Sequence, residues 1–303
     1  MKILVSGSTG LVGTSLVARL RAEHHEVVGL VRRVPANDDE AVVAWDPSNG
    51  TIEPGELEGF DAVIHLAGEN IAARRWSTKQ KARIRDSRVE GTSLLARTLA
   101  GLESPPATMI CASAIGWYGD AGDEWQDESQ PPGTGVLPDV CRDWEAAADP
   151  AREAGLRVVH ARIGVVLARE GGALKAMLLP FRLGLGGRVG SGQQYWSWIA
   201  LDDLVAALKH LVETDSLQGP VNLVAPAPAT NREFTRTLGR VLGRPTIFPM
   251  PGVMARLLLG EMANELMLTG ARIRSTLLAE SGFDFRYPDL ESALRHVLDR
   301  PAT

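Results

Sequence analysis

The first twenty residues, MKILVSGSTGLVGTSLVARL, constrain the fold more than any other stretch of the chain. They predict a short strand, a glycine turn and an amphipathic helix, with Gly7, Gly10 and Gly13 in the turn. In a dinucleotide site these glycines allow a tight turn, close approach to a pyrophosphate, and packing of the helix on the sheet. The pyrophosphate then rests on free N–H groups at the helix N-terminus. The alternative is three glycines that form only a tight turn.

The end of the second predicted strand, at residues 27–31, bears on which dinucleotide the chain would bind. A site for NAD usually has an Asp or Glu about 20 residues after the glycines, which accepts hydrogen bonds from the ribose 2′-OH. Here Arg32 and Arg33 follow the strand, and two guanidinium groups suit a 2′-phosphate. The pair therefore predicts NADP. The alternative is that both arginines only close the strand at the surface.

Composition narrows the functional classes. The chain has 303 residues, 45% of them hydrophobic, which is enough for one large domain or two smaller ones. Its net charge is −5 without a long basic run, so we expect no nucleic-acid partner. No apolar run reaches the roughly 18 residues of a membrane span, so we expect no membrane partner. Because the first strand begins at once, no room is left for a signal peptide, and we expect a soluble cytoplasmic protein.

Cysteine and histidine usage gives little support to a metal site. Cys111 and Cys141 cannot form a disulfide framework, and their separation matches no zinc motif. The chain has 6 His and no H-E-x-x-H segment. We therefore predict no metal ligands.

Strands and helices alternate over the first half of the chain, which predicts an α/β fold with a doubly wound parallel sheet of the Rossmann type. Trp45 and Asp46 end one predicted strand, and Ala67, Gly68 and Glu69 follow the next, at the sheet edge where such folds bind ligands. The further predicted strands lie at residues 42–45, 62–66, 109–113 and 157–166, and the helices at 79–99 and 142–154.

The pattern changes after the sixth strand. A helix at 205–211, with Asp202 or Asp203 as its N-cap, and a strand at 220–224 are followed by prolines and short helices, which indicate a smaller, less regular lobe. The aromatic run from Tyr195 to Trp198 is either core or a platform for a ligand.

Several segments together resemble the extended short-chain dehydrogenase/reductase superfamily, which contains sugar-nucleotide epimerases and dehydratases. The broader matches, beyond the glycine turn, are HLAG (65–68), RVEGT (88–92), SA…YG (113–119), RIG (162–164) and WIALDDL (198–204). More narrowly, the chain resembles an atypical epimerase-like branch of uncertain substrate. The matching segments are HLAGENI (65–71), CRDWEAAA (141–148), PFRLGLGG (180–187), GSGQQ (190–194) and GFDFRYPDL (282–290).

The resemblance implies a Rossmann domain with a smaller C-terminal substrate lobe. The Rossmann domain would comprise residues 1–167 and about 198–224, and the lobe residues 168–197 and 225–303. Arg88 stands where many relatives have Asn. The residues that would contact the cofactor, from the resemblance and from the strand ends above, are Gly7, Ser8, Thr9, Gly10, Leu11, Val12, Gly13, Arg32, Arg33, Trp45, Asp46, Leu66, Ala67, Gly68, Glu69 and Arg88.

The resemblance is incomplete at the catalytic position. Relatives use a Tyr-x-x-x-Lys pair, whose positions here are Leu137 and Cys141. Ser113 and Tyr118 remain as catalytic candidates, with Ser113 hydrogen-bonded to the reacting oxygen and Tyr118 as the acid–base group. One hypothesis is an NADP(H)-dependent oxidoreductase or epimerase acting on a small hydroxyl or carbonyl compound, with a nucleotide sugar as one candidate, as a monomer or homodimer. The other is a non-catalytic NADP(H)-binding sensor or scaffold.

Tyr118 has no lysine at the spacing that would lower its pKa. Arg142 could supply a cation only if its side chain turned inward. We therefore expect a high pKa and no role as a strong base. The carboxylates expected to raise this pKa are Asp120, Asp123, Glu124, Asp127 and Glu128.

Overall fold

A large, mostly parallel sheet forms the centre of the computed structural model, which describes residues 1–34 and 41–301. The main sheet has the order β12-β8-β6-β5-β1-β2-β3-β4, and only β4 is antiparallel to its neighbour. The strands are β1 (Lys2–Ser6), β2 (Glu26–Val31), β3 (Val42–Asp46), β4 (Thr51–Ile52), β5 (Ala62–His65), β6 (Thr108–Ala114), β7 (Gly122–Gln126), β8 (Arg157–Ile163), β9 (Val165–Leu167), β10 (Tyr195–Trp196), β11 (Trp198–Ala200), β12 (Gly219–Leu223), β13 (Ala229–Thr230) and β14 (Ala271–Ile273).

Helices cover both faces of this sheet because side chains of successive strand residues point to opposite sides. Ile3 and Val5 of β1 pack on one side with the helices Leu11–Ala22 and Leu201–Glu213, whereas Leu4 packs on the other with the helix Thr78–Ala100. The predicted Rossmann-type fold is confirmed. The helices are α1 (Leu11–Ala22), α2 (Thr78–Ala100), α3 (Val136–Ala146), α4 (Asp149–Glu153), α5 (Gly172–Arg182), α6 (Leu201–Glu213), α7 (Asn231–Leu242), α8 (Gly252–Leu259), α9 (Glu261–Ala263), α10 (Thr276–Glu280) and α11 (Leu290–Val297).

The strand order reverses between β1 and β5. The chain runs outward from β1 through β2 and β3, and then crosses to the other side of β1 through β5, β6, β8 and β12. Ligands of open α/β sheets bind beyond the carboxyl ends of the strands at this switch point. The glycine turn after β1 and residues 66–69 after β5 both lie there.

Two predicted elements are each divided in the structure. The predicted strand 157–166 is interrupted at Gly164, where a Cβ would lie 2.8 Å from Val224 Cγ1 and 2.9 Å from the carbonyl oxygen of Ser197. The chain therefore leaves the main sheet as β8 and pairs with β11 as β9. The predicted helix 142–154 is two helices, because α3 ends at Ala146 and Pro150, which has no N–H to donate, stands in the first turn of α4.

The N-cap prediction for α6 is wrong. Ala200 is the N-cap residue, and Asp202 and Asp203 lie inside the first turn. Asp203 instead accepts hydrogen bonds from the backbone N–H groups of Arg286 and Tyr287, and so holds the C-terminal segment against this helix.

β12 adds to the main sheet beside β8, although it follows a long excursion through α5, β10 and α6. A separate core, which includes Leu174, Trp198 and Phe234, packs α5, α7 and α11 together. We propose that the main sheet with its helices corresponds to the predicted Rossmann domain and that this separate core corresponds to the smaller lobe. Trp198, which the predicted bounds assign to the Rossmann domain, packs in the core of the lobe.

Candidate cofactor and active site

The glycine turn has a backbone that larger residues could not adopt. Gly7 has a φ of +69°, in the left-handed region. A Cβ at Gly13 would lie 2.1 Å from the carbonyl oxygen of Gly7, so α1 packs directly on the turn. Gly10 is the N-cap of α1, with no side-chain cap and no acidic residue in the first turn. The positive end of this helix therefore faces the switch point, which fits a pyrophosphate.

Ser6, which the sequence analysis did not single out, ties the glycine turn to the segment after β5. Its Oγ accepts hydrogen bonds from the N–H groups of Leu66 and Ala67 at 3.1 and 3.2 Å. It also lies 2.6 Å from His65 Nδ1. Because two N–H groups donate to the hydroxyl oxygen, its own proton is directed to Nδ1, which requires a neutral imidazole. The sequence signal that could have pointed to these contacts is the HLAG segment (65–68), which contains the three partners of Ser6.

His65 makes the stability of this region depend on pH. Burial lowers its pKa from 6.5 to about 4. Between pH 6.5 and 4 the folded protein therefore keeps His65 neutral, whereas the unfolded chain is protonated. The contribution of His65 to the free energy of unfolding is complete above pH 6.5 and is lost as the pH falls towards 4. We expect the free energy of unfolding to fall by about 3 kcal/mol from this residue. Urea unfolding of wild type and His65→Gln between pH 6.5 and 4 measures this loss. Parallel plots of the free energy of unfolding against pH for the two proteins would contradict the prediction.

Arg32 and Arg33 follow β2 and are both exposed. The Asp46 carboxylate at the end of β3 accepts hydrogen bonds from Asn49 and Ser48, and the Asn49 side chain is the main cause of its lowered pKa, with a smaller contribution from the charge of Arg32. Arg32 and Asp46 therefore lie near each other beyond neighbouring strands.

Trp45 lies in the core. Its side chain is 5% exposed, and its ring meets the His65 ring edge-on at a centroid distance of 5.8 Å. A Cβ on Gly91 of α2 would lie 3.2 Å from this ring. The side chain therefore packs β3 against α2.

Arg88 of α2 reaches the loop after β5. A Cβ on Gly68 would lie 3.5 Å from Arg88 Cζ, and the guanidinium group donates to the carbonyl oxygen of Ile84 at 2.9 Å. The group also lies over the Trp144 ring, 5.0 Å from its centroid. Desolvation lowers the pKa of Arg88, and the nearby Glu69 and Cys141 groups oppose that shift. A half-buried cation thus stands beside the predicted cofactor loop.

Ser113 belongs to a buried ionic network. Its hydroxyl donates to Glu145 Oε1 at 2.7 Å. Arg162 Nε and Nη2 donate to the two oxygens of the same carboxylate at 2.9 and 3.0 Å. The side chains of Arg162 and Glu145 are only 2% and 10% exposed, so this is a bidentate pair inside the protein.

Tyr118 joins the same network through its phenol. Its Oη donates to Asn222 Oδ1 at 2.7 Å and accepts from Arg162 Nη1 at 3.2 Å. Burial raises the pKa of Tyr118 to about 12, although Arg162 opposes the shift; Glu128 raises it further. The prediction of a high pKa is confirmed.

The prediction that no cation lies beside Tyr118 without an inward turn of Arg142 is wrong. Arg162, from the distant strand β8, supplies one. The Arg142 side chain is 53% exposed and pairs with Asp139 and Asp143.

The two positions of the missing catalytic pair lie on α3 and pack against the turn after β6. Leu137 Cβ and Cys141 Sγ would be 3.1 and 3.6 Å from a Cβ on Gly116. Burial, helped by the Glu145 carboxylate, raises the pKa of Cys141 to about 12, while Arg88 opposes the shift. Neither residue can replace an ionisable pair at neutral pH.

Three features of the described residues concern other kinds of site. Cys111 and Cys141 are both free thiols. Within 1–34 and 41–301, no group of three or more His, Cys, Asp or Glu side chains is arranged to hold a metal ion. No helix in the same ranges is long and apolar enough to cross a membrane.

Comparison with known proteins settles the family. Residues 3–224 match the NAD dependent epimerase/dehydratase family, and residues 250–297 match a domain of unknown function, DUF1731. The first match covers well over half of the chain. The chain belongs to the NAD-dependent epimerase/dehydratase family. The resemblance predicted from the motifs is thus confirmed.

Three individual proteins illustrate the similarity. Epimerase family protein Mb2239 of Mycobacterium bovis is 46% identical, covering 99% of this chain and 98% of that protein. The crystal structure of human epimerase family protein SDR39U1 (isoform 2) with NADPH has a TM-score of 0.89 at 35% identity, covering 99% of each chain. A Thermotoga maritima UDP-glucose 4-epimerase with UDP-glucose has a TM-score of 0.79 at 18% identity, covering 99% of this chain and 98% of that one, which supports the fold alone.

Proposed function

We propose that the protein binds NADP(H) and is an oxidoreductase or epimerase acting on a hydroxyl or carbonyl group of a small molecule, with nucleotide sugars as the first candidates. The observation that carries the proposal is the placement of Arg88. Its guanidinium group lies against Gly68 and close to Cys141, the position at which relatives have the catalytic lysine. A fixed cation there can hold a ribose hydroxyl and stabilise negative charge on a reacting oxygen.

The residues present fit the proposed cofactor. The glycine turn and the N-terminus of α1 would hold the pyrophosphate, Arg32 and Arg33 the 2′-phosphate, and residues 66–69 with Arg88 the nicotinamide half. Bound NADP(H) would supply hydride transfer. NADPH in the human relative supports this choice.

The burial of Ser113 and Tyr118 favours positioning roles for both. Each side chain is 3% exposed, and each hydroxyl already donates to a partner in the protein. Tyr118 remains neutral at physiological pH, since its pKa is about 12. We propose that the network of these residues with Glu145 and Arg162 holds the end of β6 and α3 around the site.

A non-catalytic NADP(H) sensor is the second candidate. The specific observation in its favour is that Leu137 and Cys141 fill the two catalytic positions while both candidate hydroxyls are buried. Two assays separate the candidates: carbonyl compounds are offered to protein saturated with NADPH, and nucleotide sugars to protein saturated with NADP⁺. An oxidoreductase consumes reduced nicotinamide with a carbonyl compound, and an epimerase changes the configuration of a nucleotide sugar without net consumption of cofactor. A sensor does neither.

We expect Arg32→Ala to weaken NADPH binding by roughly 30- to 150-fold and to leave NADH binding nearly unchanged. A lost contact to a charged phosphate costs about 2–3 kcal/mol, and NADH has no 2′-phosphate. Titration calorimetry with both cofactors measures the effect. Arg152→Ala is the control, because Arg152 is an exposed arginine paired with Asp149 on α4. Equal weakening of both cofactors by Arg32→Ala would contradict the assignment.

A further inference from the structure

Exposed apolar side chains are concentrated on one part of the molecule. Of the twelve large hydrophobic side chains that are exposed in residues 1–34 and 41–301, nine lie within segments 179–185 and 247–258, where they are 53% to 71% exposed. The most exposed among them are Leu179, Leu183, Ile247, Val253 and Leu257. We call the surface of these two segments the apolar face.

Backbone contacts join the loop that follows the first segment to the second segment. The N–H of Met250 donates to the carbonyl oxygen of Arg188 at 2.8 Å, and the N–H of Gly190 donates back to Met250 at 2.9 Å. Beyond this junction, α8 buries Ala255 and directs Val253 and Leu257 outward. The helix is therefore apolar on its buried side and on its outer side, and the outer side is uncovered.

The same part of the chain is rich in basic residues. Residues 171–201 and 234–260 contain seven Lys and Arg and no Asp or Glu, whereas Glu170, Asp202, Glu233 and Glu261 stand directly outside these ranges and Arg240 pairs with Glu291. The whole chain has a net charge of −5, so the remaining residues carry −12. The apolar face thus lies in a positive region of an acidic protein, which points to an anionic partner.

A cavity of about 380 Å³ lies at the edge of the apolar face, lined by Arg188, Arg232, Arg236, Thr246 and Ile247 among others. Arg188 and Arg232 both donate to the carbonyl oxygen of Ser191. Among the ion pairs of the described residues, none neutralises these three arginines. Guanidinium groups converging on a concave site suit a phosphate group.

We propose that the apolar face docks on the surface of an anionic phospholipid bilayer. Apolar side chains enter the boundary between headgroups and acyl chains, and the surrounding arginines bind lipid phosphates, as in interfacial helices. A two-fold contact with a second copy would bring the arginine-rich surfaces of both copies together. This proposal departs from the sequence-based expectation of no membrane partner. That expectation rested on the lack of an apolar run long enough to span a bilayer, which surface docking does not require.

Co-sedimentation of the full chain with vesicles tests the proposal. We expect binding to phosphatidylcholine vesicles that contain one third phosphatidylglycerol, little binding to phosphatidylcholine alone, and loss of binding at high salt. Arg236→Gln/Arg244→Gln should weaken partitioning about 25-fold, since each basic residue contributes about fivefold. Leu257→Ser/Leu258→Ser should also weaken it. Arg142→Gln, on α3 outside both segments, is the control, and circular dichroism checks that each variant is folded.

Other results would overturn the proposal. Docking through this face is rejected if folded wild-type protein stays in the supernatant with anionic vesicles, or if the four substitutions leave sedimentation unchanged. A concentration-dependent dimer that Leu257→Ser/Leu258→Ser disrupts, without vesicle binding, would assign the face to a second copy. The protein could also be retained equally on vesicles and on immobilised polyglutamate, with no reduction by the leucine substitutions. Binding would then be charge attraction alone, without a role for the apolar side chains.

Discussion

We expect Gly13→Ala to reduce the affinity for NADPH by roughly 30- to 150-fold, the equivalent of about 2–3 kcal/mol. The added Cβ would lie 2.1 Å from the carbonyl oxygen of Gly7 and 2.8 Å from Ser8 Cα. Both contacts are with backbone, so no side chain can rotate away. The N-terminus of α1 must move away from the turn, and with it the N–H groups proposed to hold the pyrophosphate.

The control for this variant is Gly55→Ala. A Cβ there would meet only Glu53 Oε1, at 3.8 Å, which is an ordinary contact. Titration calorimetry should give wild-type affinity for Gly55→Ala. If Gly13→Ala also bound NADPH within threefold of wild type, the glycine turn would not be the pyrophosphate site.

The second large effect is expected from Glu145→Ala. Removing this carboxylate leaves the Arg162 guanidinium buried without its counter-ion, and breaking a buried pair in this way costs about 3–5 kcal/mol. Ser113 also loses its hydrogen-bond acceptor. We expect a matching decrease in the free energy of unfolding, measured by denaturant titration.

Asp143→Ala provides the comparison on the same helix. Asp143 pairs with Arg85 at 2.8 Å, but the two side chains are 30% and 48% exposed, so the loss should be below about 1 kcal/mol. The double variant Glu145→Leu/Arg162→Met should recover much of the stability lost in Glu145→Ala, because no unpaired charge remains. Equal stability of Glu145→Ala and Asp143→Ala would contradict the account of the network.

Local patterns in the sequence were sufficient to predict the glycine turn, most strands of the main sheet and the doubly wound fold. Each of these features depends on residues close together in the chain, such as Gly7 and Gly13, or on alternation of strands with helices. The high pKa of Tyr118 was also predicted, although for an incomplete reason.

The interior of the site could not be predicted because its partners are distant in sequence. Arg162 lies 44 residues from Tyr118, and Ser6 lies 59 residues from His65. Only the parallel pairing of β6 with β8, and of β1 with β5, brings these side chains together. Likewise, Trp45 is buried because β3 packs against α2. Its position at the end of a predicted strand does not reveal that contact.

The most direct test of the central claim follows deuterium from NADPH labelled at the nicotinamide C4 position into carbonyl compounds and nucleotide keto-sugars, detected by mass spectrometry. Wild type and Arg83→Met, an exposed change on the same helix as Arg88, should transfer the label to at least one compound. Label transfer by Arg88→Met should be about 100-fold slower than by wild type, because removing one group that stabilises charge on a reacting oxygen has an effect of this size. Stoichiometric NADPH binding with the label retained on the cofactor in every case would contradict catalysis and favour the sensor.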